Sequence, residues 1–367
     1  MVKRFLFGVA LSGMIFLAKA DDAVPDLKIP VWYKTVDLRG SFGYKDNVLL
    51  SPTAPKASPF WDSGLDFILY RLPTHGWQFN LFLTGDDVRY FNAVGVENEQ
   101  SLIVAAQLAK DWGNHWKSTL GTLYSYQNQV IDTSTTETTN AVTQVLGHGI
   151  GGRAMVHRDF EKNWAEVELA LTRQYYARPL DDLWQEGPRF ILGHGYGHGS
   201  DVTLSYQIMQ VQYDTRPQID LNGAPIPHTG LAFTPQTLEV ALQHNWDAKQ
   251  HWRTVTRLGL EVNQDNGPGF FDYNFYRASQ KLGYRAKTWA ADGQVRVGYY
   301  DFPLQPVSGT DASKRYKTLW SVSLHGEKNL TKSLKLFANF VHDESLSNLG
   351  GDNYQANTVS GGVDWQF

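Results

Sequence analysis

Hydrophobic and polar side chains alternate along most of the chain with a period of two. In the stretch 35–44, Val36, Leu38, Phe42 and Tyr44 alternate with polar residues or glycine. This alternation predicts strands with one apolar and one polar face. Sixteen strands are predicted, with 14 or 18 as alternatives, over residues 35–44, 60–71, 77–90, 101–110, 115–130, 141–157, 164–176, 189–197, 201–213, 234–246, 252–263, 273–286, 290–302, 316–327, 334–344 and 354–367.

The predicted connections alternate in length. Those that follow odd-numbered strands are long and polar, as in 45–59 and 214–233, whereas 72–76 and 111–114 are tight turns after even-numbered strands. Short periplasmic turns on one rim and long extracellular loops on the other are typical of bacterial outer-membrane barrels. The predicted fold is therefore all-β, a closed transmembrane antiparallel β-barrel. Within it, region 189–213 is open between strand, turn and bulge.

The N-terminal residues predict export. Residues 1–20 combine a basic start, a thirteen-residue apolar run from Phe5 to Leu17 and an Ala18-Lys19-Ala20 cleavage pattern, which together indicate a signal peptide. The apolar run is too short to span a bilayer as a helix. The predicted organisation is a signal peptide at 1–20, a short periplasmic lead-in at 21–30 and the barrel at 31–367.

Composition narrows the function classes. The chain has no cysteine, which excludes disulfides and thiolate metal sites, and its net charge of −4 gives no basic excess that would suggest a nucleic-acid partner. Aromatic residues make up 13% of the chain, which suits the aromatic girdles of a membrane barrel. Trp77, Trp116, Trp164 and Trp252 each follow a tight turn, so they are predicted to form an interfacial belt in outer-membrane lipid.

The polar phase of the strands predicts the channel lining. It forms an acidic arc on the early strands and a basic arc on later ones, which would create a transverse field favouring anions or acidic sugars. The alternative is that these charges only pair with each other across strands. The predicted acidic arc is Asp62, Asp66, Asp86, Glu166 and Glu168, and the basic arc is Arg257, Arg277, Lys281, Arg285, Arg296 and Lys317.

Other motifs carry no catalytic chemistry. His194 and His198 would lie roughly 13 Å apart along a strand, too far to share one zinc ion. No nucleophile, base and orienting group can be assembled from the sequence, so we predict no enzyme activity, no cofactor and no metal site. The lumen-phase glycines Gly147, Gly149 and Gly151 would widen a passage, seat an inward-folded loop such as 214–233, or bend the strand.

The two ends of the barrel carry the family resemblance. Ser360, Gly362, Trp365 and Phe367 stand at the positions of the C-terminal signal read by the barrel-assembly machinery. The stretch 43–48, Gly-Tyr-Lys-Asp-Asn-Val, resembles the opening hairpin of porin-type barrels encoded with exopolysaccharide export systems, and more distantly the barrel of surface-lipoprotein assembly modifiers. The resemblance implies the assembly machinery as a partner, and polysaccharide or small polar solutes as ligands.

These observations predict a passive porin-like channel of the bacterial outer membrane for polar or anionic solutes. Two alternatives follow from the same barrel. One is a conduit for secreted exopolysaccharide that works with separate periplasmic partners, and the other is a closed barrel used for adhesion or surface-protein assembly.

Overall fold

The computed structural model describes residues 31–138, 142–307, 311 and 313–367. Apart from 3₁₀ turns at Gly197–Gly199 and Gly350–Asp352, its regular structure consists of strands. They are β1 Trp32–Lys45, β2 Ser58–Thr74, β3 Trp77–Tyr90, β4 Asn98–Gly113, β5 Trp116–Asp132, β6 Val142–Phe160, β7 Asn163–Tyr176, β8 Leu183–Tyr196, β9 Ser200–Ile208, β10 Gln210–Tyr213, β11 Ala232–Phe233, β12 Gln236–Asn245, β13 Trp252–Asn263, β14 Tyr273–Arg285, β15 Trp289–Pro306, β16 Lys314–Asn329, β17 Leu334–Ser347 and β18 Tyr354–Gln366.

The strands form one closed antiparallel sheet, because β1 pairs with both β2 and β18. The segments β9 and β10 both pair with β8 and are separated only at Met209. Facing them, β11 pairs with β10, and β12 pairs with β9. Each of these two pairs of segments therefore occupies one place in the ring, which gives a barrel of sixteen strands. The predicted fold and strand number are confirmed.

Strand boundaries follow the hydrophobic alternation closely. The predictions 77–90 and 252–263 coincide with β3 and β13, and most other strands extend a few residues further into the loops. The ambiguous region 189–213 contains both a turn and an interruption. A 3₁₀ turn at Gly197–Gly199 ends the descent of β8, with His198 at a φ of 60°, and Met209 interrupts the next strand.

The two rims differ as predicted. At the periplasmic rim, His75 and Gly76 alone connect β2 to β3, and both adopt positive φ values of 52° and 79°. At the other rim, residues 214–231 connect β10 to β11. Over the described ranges, no helix is long and apolar enough to cross a bilayer. The outer face of the strands instead exposes an apolar band that includes Leu120, Leu169, Leu192 and Leu258.

The extracellular loops are packed rather than extended. The first two loops bring Val48, Leu50 and Val96 against Phe60 of β2 and Tyr90 of β3 in one buried cluster. A second cluster joins the loop 214–231 to the loop between β13 and β14, through residues Ile219, Leu231, Phe270 and Phe271. Buried apolar contacts of this kind hold the loops over the mouth of the barrel.

The tryptophan belt is confirmed for three of its four predicted members. Trp77, Trp116 and Trp252 are exposed on the outer face at the periplasmic rim. Trp164 was wrongly assigned to this belt. The residue that opens β7 is Asn163, so Trp164 takes the lumen phase, where it stacks on His157 with ring centroids 5.5 Å apart.

The C-terminal strand closes the barrel against β1. Trp365 and Phe367 point outward with ring centroids 4.6 Å apart, whereas Ser360 and Gly362 take the opposite phase. A Cβ atom at Gly362 would lie 2.1 Å from the Gly40 carbonyl oxygen. The close approach of β1 therefore requires glycine here. The predicted signal peptide at 1–20 and the lead-in at 21–30 lie outside the described residues.

Candidate channel lining

The acidic arc lies on the lumen phase, where basic side chains meet it. The Arg39 guanidinium donates a hydrogen bond to Asp86 and lies 3.9 Å from Asp66. Asp62 occupies the same phase of β2 as Asp66, since the two are four residues apart on one strand. This part of the predicted acidic arc is therefore partly neutralised by an arginine of β1.

The other two members of the acidic arc are also paired. On β7, Glu168 lies 3.4 Å from Arg153, and Glu166 lies 3.4 Å from His157. His157 also contacts Asp159, with 3.1 Å between Nε2 and the carboxylate. For these residues the simpler interpretation, that lumen charges pair across strands, describes the contacts that the structure shows.

The basic arc is less completely paired. Arg277 donates to Glu239 at 2.9 Å, Lys281 lies 2.5 Å from Asp292, and Arg296 donates to the side chain of Gln294 at 2.7 Å. Arg257 and Arg285 occupy the same lumen phase of their strands. In the described part of the chain, no carboxylate lies within 4.0 Å of either guanidinium. Two positive charges therefore face the lumen without a direct counter-ion.

Lys317 differs from the other predicted basic residues. Its side chain is only 1% exposed, and its ammonium pairs with Asp132 and donates to the Ser134 hydroxyl at 2.7 Å. The prediction that Lys317 lines the open channel is wrong, because loop residues cover it. Lys317 is instead a buried anchor.

The two arcs face each other across the barrel. Because β9–β10 and β11–β12 each occupy one place, β13 takes the eleventh place of sixteen, and β3 takes the third. Eight places in a ring of sixteen is half a turn. Asp86 on β3 and Arg257 on β13 therefore lie on opposite walls.

In two places an arginine, a glycine and an acidic residue lie in one row across three adjacent strands. Arg277 pairs in register with Gly259, which in turn pairs with Glu239 on the next strand. Arg39, Gly64 and Asp86 form the same sequence across β1, β2 and β3. In both rows a Cβ on the glycine would lie within 2.6 Å of the guanidinium group. Glycine therefore leaves room for an arginine to reach an acid two strands away.

The glycines of β6 serve a similar packing purpose. A Cβ at Gly147 would lie 2.5 Å from the Tyr176 ring, and one at Gly151 would lie 2.6 Å from the Thr172 hydroxyl. A Cβ at Gly149 would meet the Ser125 hydroxyl at 3.0 Å. The sequence left a widened passage, a seat for a folded loop and a bend of the strand open for these glycines, whereas the structure shows close approach of neighbouring lumen side chains.

A loop segment crosses the extracellular mouth. Residues 132–138, which we call the mouth strap, leave the end of β5 and reach β16 on nearly the opposite wall, since β5 is fifth and β16 fourteenth in the ring. Lys317 binds Asp132, and the Arg315 guanidinium donates to the Ser134 carbonyl at 2.8 Å. The Lys317 and Arg315 side chains are almost fully buried.

The mouth strap is also tied to the loop 214–231. Arg216 pairs with Glu137 at 2.8 Å and donates to the Thr136 carbonyl. Burial raises the pKa of the Glu137 carboxyl above its ordinary value of 4.5, although the Arg216 charge acts in the opposite direction. The strap is thus anchored at both ends by charged groups that the prediction of a passive pore did not include.

Several lining residues were missed at the sequence level. Arg39, Glu239 and His157 have the strand phase that alternation assigns to the lumen, and Arg39 and Glu239 lie on strands outside the two predicted arcs. The contacts of the mouth strap join residues about 180 positions apart, such as Ser134 and Arg315. No local pattern in the sequence signals such a contact.

Comparison with known proteins identifies the fold. No protein-family model matches the chain, and no curated protein matches its sequence. OccAB1 of Acinetobacter baumannii is similar over 92% of this chain and 97% of that chain, with a TM-score of 0.51 and 7% identity. A BenF-like porin from Pseudomonas fluorescens has a TM-score of 0.48 at 7% identity, covering 92% of this chain and 100% of that one. A bacterial polysaccharide outer membrane secretin has a TM-score of 0.46 at 11% identity, covering 90% and 98%.

The closed sheet, the apolar outer band and the charged interior together define the class of protein. The chain is a closed sixteen-stranded β-barrel with the fold of outer-membrane porins. A closed barrel satisfies every ladder hydrogen bond internally, so a chain with only one apolar face per strand can reside in lipid.

Proposed function

We propose that the barrel is a passive channel that admits small polar solutes and prefers anions. The main support is that more charged side chains have an ion-pair partner on the acidic wall than on the basic wall. Four of the five residues of the acidic arc lie within 4.0 Å of a basic partner, whereas Arg257 and Arg285 have no carboxylate at that distance in the described part of the chain. The wall opposite the acidic arc therefore carries two positive charges without a direct counter-ion.

Charge on opposite walls also orders the contents of the lumen. Side chains of opposite sign across a narrow aqueous passage create a transverse field that aligns water and dipolar solutes. An anion passing Arg257 gains attraction that a cation does not. The same groups remain hydrated, so that attraction slows passage without trapping the solute.

Ion selectivity in planar bilayers tests the proposal. The double variant Arg257→Gln with Arg285→Gln removes the two uncompensated charges, and we expect its reversal potential in a salt gradient to move toward cation preference. Lys328→Gln is the matched control, because Lys328 points outward beside Trp289 in the sheet register. A reversal potential that is the same in the double variant and the parent channel would refute the proposed anion preference.

A second double variant tests whether a paired arginine contributes less to ion selectivity than an unpaired one. Arg277→Ala with Arg296→Ala also removes two lumen charges, and we expect it to lower anion preference. We expect a smaller effect, because Arg277 is already compensated by Glu239. Equal effects of the two double variants would show that pairing does not control the field in the lumen.

The covered mouth supports a second candidate, a loop-gated conduit for a secreted polysaccharide. The mouth strap and the loop 214–231 lie across the exit and are joined through Arg216 and Glu137. A barrel of this kind would show little steady conductance until the strap is released. Large steady steps in the parent protein support the passive channel instead, and a closed barrel after strap release would favour a role in adhesion or assembly.

We also infer that the last strand is the signal read by the barrel-assembly machinery. Trp365 and Phe367 are presented together on the outer face, where a partner protein could contact them before the barrel closes. Phe367→Ala is expected to slow assembly in cells while leaving the refolded barrel stable. Normal assembly of this variant would contradict the inference.

A further inference from the structure

Three basic side chains on the outer face lie against aromatic rings at the periplasmic rim. The Lys110 ammonium is 5.1 Å from the Trp77 ring centroid and 5.8 Å from that of Trp112, and it donates to the His75 carbonyl at 2.7 Å. Lys110 pairs in register with Trp77, so both have the outward phase. The side chain therefore lies along the lipid-facing surface.

The other two basic residues have the same environment. The Arg158 guanidinium lies 4.8 Å from the Trp116 ring centroid and 4.7 Å from that of Phe160. The Arg71 guanidinium lies 5.8 Å from the Trp32 ring centroid. We call Arg71, Lys110 and Arg158 together the basic rim.

The geometry of the barrel places the basic rim at one depth. Rows of paired residues climb toward the extracellular side along the strand order, since the row through Arg39 in the middle of β1 reaches Tyr176, the last residue of β7. Tilted strands produce this stagger. Residues at equal depth on later strands must therefore lie progressively nearer the periplasmic end of their strands.

The basic rim follows this rule. The row from Arg71 crosses β4 at Leu108, two residues short of Lys110. The row from Lys110 crosses β6 at Val156, two residues short of Arg158. The three cations thus stand at nearly the same height on alternate strands, roughly 10 Å apart around the barrel.

The basic rim has no acidic partner. Among the residues that the structure describes, no carboxylate lies within 4.0 Å of Arg71, Lys110 or Arg158. Several lumen cations, in contrast, meet an acid, as Arg39 meets Asp86. A cation held on an indole ring at the membrane interface keeps its charge and can attract an anion of the head-group layer.

We propose that the basic rim binds the phosphate head groups of anionic phospholipids in the periplasmic leaflet. The aromatic rings fix each cation at head-group depth, and the apolar band above offers a surface for the acyl chains. The spacing of the three cations, on alternate strands, suits lipids that lie side by side along the barrel wall, or one lipid with two phosphates. A soluble phosphate ion would find the charge but not the apolar surface.

The rest of the rim gives a contrast within the same molecule. Tyr284 on β14 contacts Trp252 on β13 and Trp289 on β15, with ring centroids 4.6 and 4.7 Å apart. Lys328 pairs in register with Trp289, yet the described residues show no contact of its ammonium with a ring. The proposed lipid site is therefore confined to the sector β2–β6.

Native mass spectrometry of the full barrel in neutral detergent tests the proposal. The parent protein is mixed with cardiolipin or with phosphatidylcholine, and bound lipid is counted after collisional removal of detergent. We expect retained cardiolipin and little retained phosphatidylcholine. The variant Arg71→Gln, Lys110→Gln, Arg158→Gln should retain far less cardiolipin, with a loss of about fivefold for each cation removed.

The controls separate the alternatives. Lys328→Gln should keep full cardiolipin binding, and an equal loss there would show a general effect of rim charge and overturn the proposed sector. Competition by inorganic phosphate at millimolar concentration would show an anion site without lipid specificity, which also overturns it. If the triple variant fails to show the heat-modifiable mobility of a folded barrel, the three single variants are used. Unchanged binding in all three would refute the proposal.

Discussion

Arg277 and Glu239 lie 2.9 Å apart although the whole of strand β13 separates their own strands. The guanidinium reaches across Gly259, where a Cβ atom would stand 2.6 Å from the Arg277 Nε. A glycine in the middle of a strand normally reduces stability. Here its absence of a side chain allows a lumen charge to be compensated, so the choice of glycine and the pairing of a lumen charge are linked at one position.

The first prediction concerns this glycine. Gly259→Val should displace the flexible Arg277 side chain from the wall and leave Glu239 without its partner. Because a charged hydrogen bond contributes about 1.5–3 kcal/mol, we expect a modest loss of stability together with altered conductance. Single-channel recording and urea unfolding of the refolded barrel measure the two effects.

Gly293→Val is the matched control for that substitution. Gly293 is also on a central strand, but a Cβ there would meet the Leu324 side chain at 3.2 Å and the Ser323 carbonyl oxygen at 3.9 Å, and no charged group. The control should therefore leave the conductance unchanged. If Gly259→Val also leaves it unchanged, Arg277 does not shape the permeation path.

Strand positions and phases could be predicted from the sequence because lipid and water alternate along every strand. Arg257 and Asp86 were assigned to the lumen on that basis, and the structure places both there. The predicted phase of Trp164 was wrong because it depends on the two-residue turn at Glu161 and Lys162. A shift of one residue in where β7 begins moves each side chain to the other face.

Contacts across the lumen could not be predicted in the same way. Whether Lys317 faces water or a loop depends on which strands are opposite each other once the barrel closes. Asp132 and Lys317 are 185 residues apart and belong to nearly opposite walls. The sequence specifies each strand locally, while the strap that covers Lys317 is a consequence of the complete ring.

The second prediction concerns the seam of the barrel. Gly362→Val would place side-chain atoms against the Gly40 carbonyl and the Ser41 Cβ, which a Cβ would approach to 2.1 and 2.6 Å. Backbone atoms cannot yield as a flexible side chain can, so we expect the β1–β18 pairing to fail or to lose more than about 3 kcal/mol. Loss of heat-modifiable mobility after refolding would report it.

The neighbouring residue provides the control for the seam. A Cβ at Gly361 would lie 3.5 Å from the Phe337 carbonyl oxygen, which is an ordinary contact, and this position faces outward. Gly361→Val should therefore fold normally. A normally folded Gly362→Val barrel would show that close approach at the seam is not what requires glycine.

The third prediction concerns the anchor of the mouth strap. Asp132→Asn would leave the Lys317 ammonium buried without its ion-pair partner, which typically costs about 3–5 kcal/mol. Undocking of the strap relieves that cost by exposing Lys317 to water. We therefore expect higher conductance and faster proteolysis within the strap. Asp87→Asn is the control, because the Asp87–Arg89 pair is exposed and should contribute less than about 1 kcal/mol.

Replacement of both partners gives a different outcome. The variant Asp132→Leu with Lys317→Met removes the pair without leaving a buried charge, so the strap should regain most of its docking. Conductance near the parent value in this double variant, with high conductance in Asp132→Asn, would support the anchor. Equal conductance in all three proteins would show that the strap does not limit the pore.

The fourth prediction concerns pH and follows from Glu137. Its pKa is raised above 4.5 in the docked strap because the carboxyl is buried there, whereas in a free strap it would be hydrated. The docked form therefore binds a proton more tightly than the free form, and by linkage a fall in pH toward 4.5 strengthens docking, with no further gain below that value. The channel should spend more time closed at acidic pH.

Glu137→Gln removes the titrating group, so its closed fraction should change little with pH. Glu97→Gln is the control, because Glu97 is an exposed residue of the second loop, and this variant should behave like the parent. A parent channel whose closed fraction is constant between neutral and acidic pH would exclude Glu137 as the controlling group.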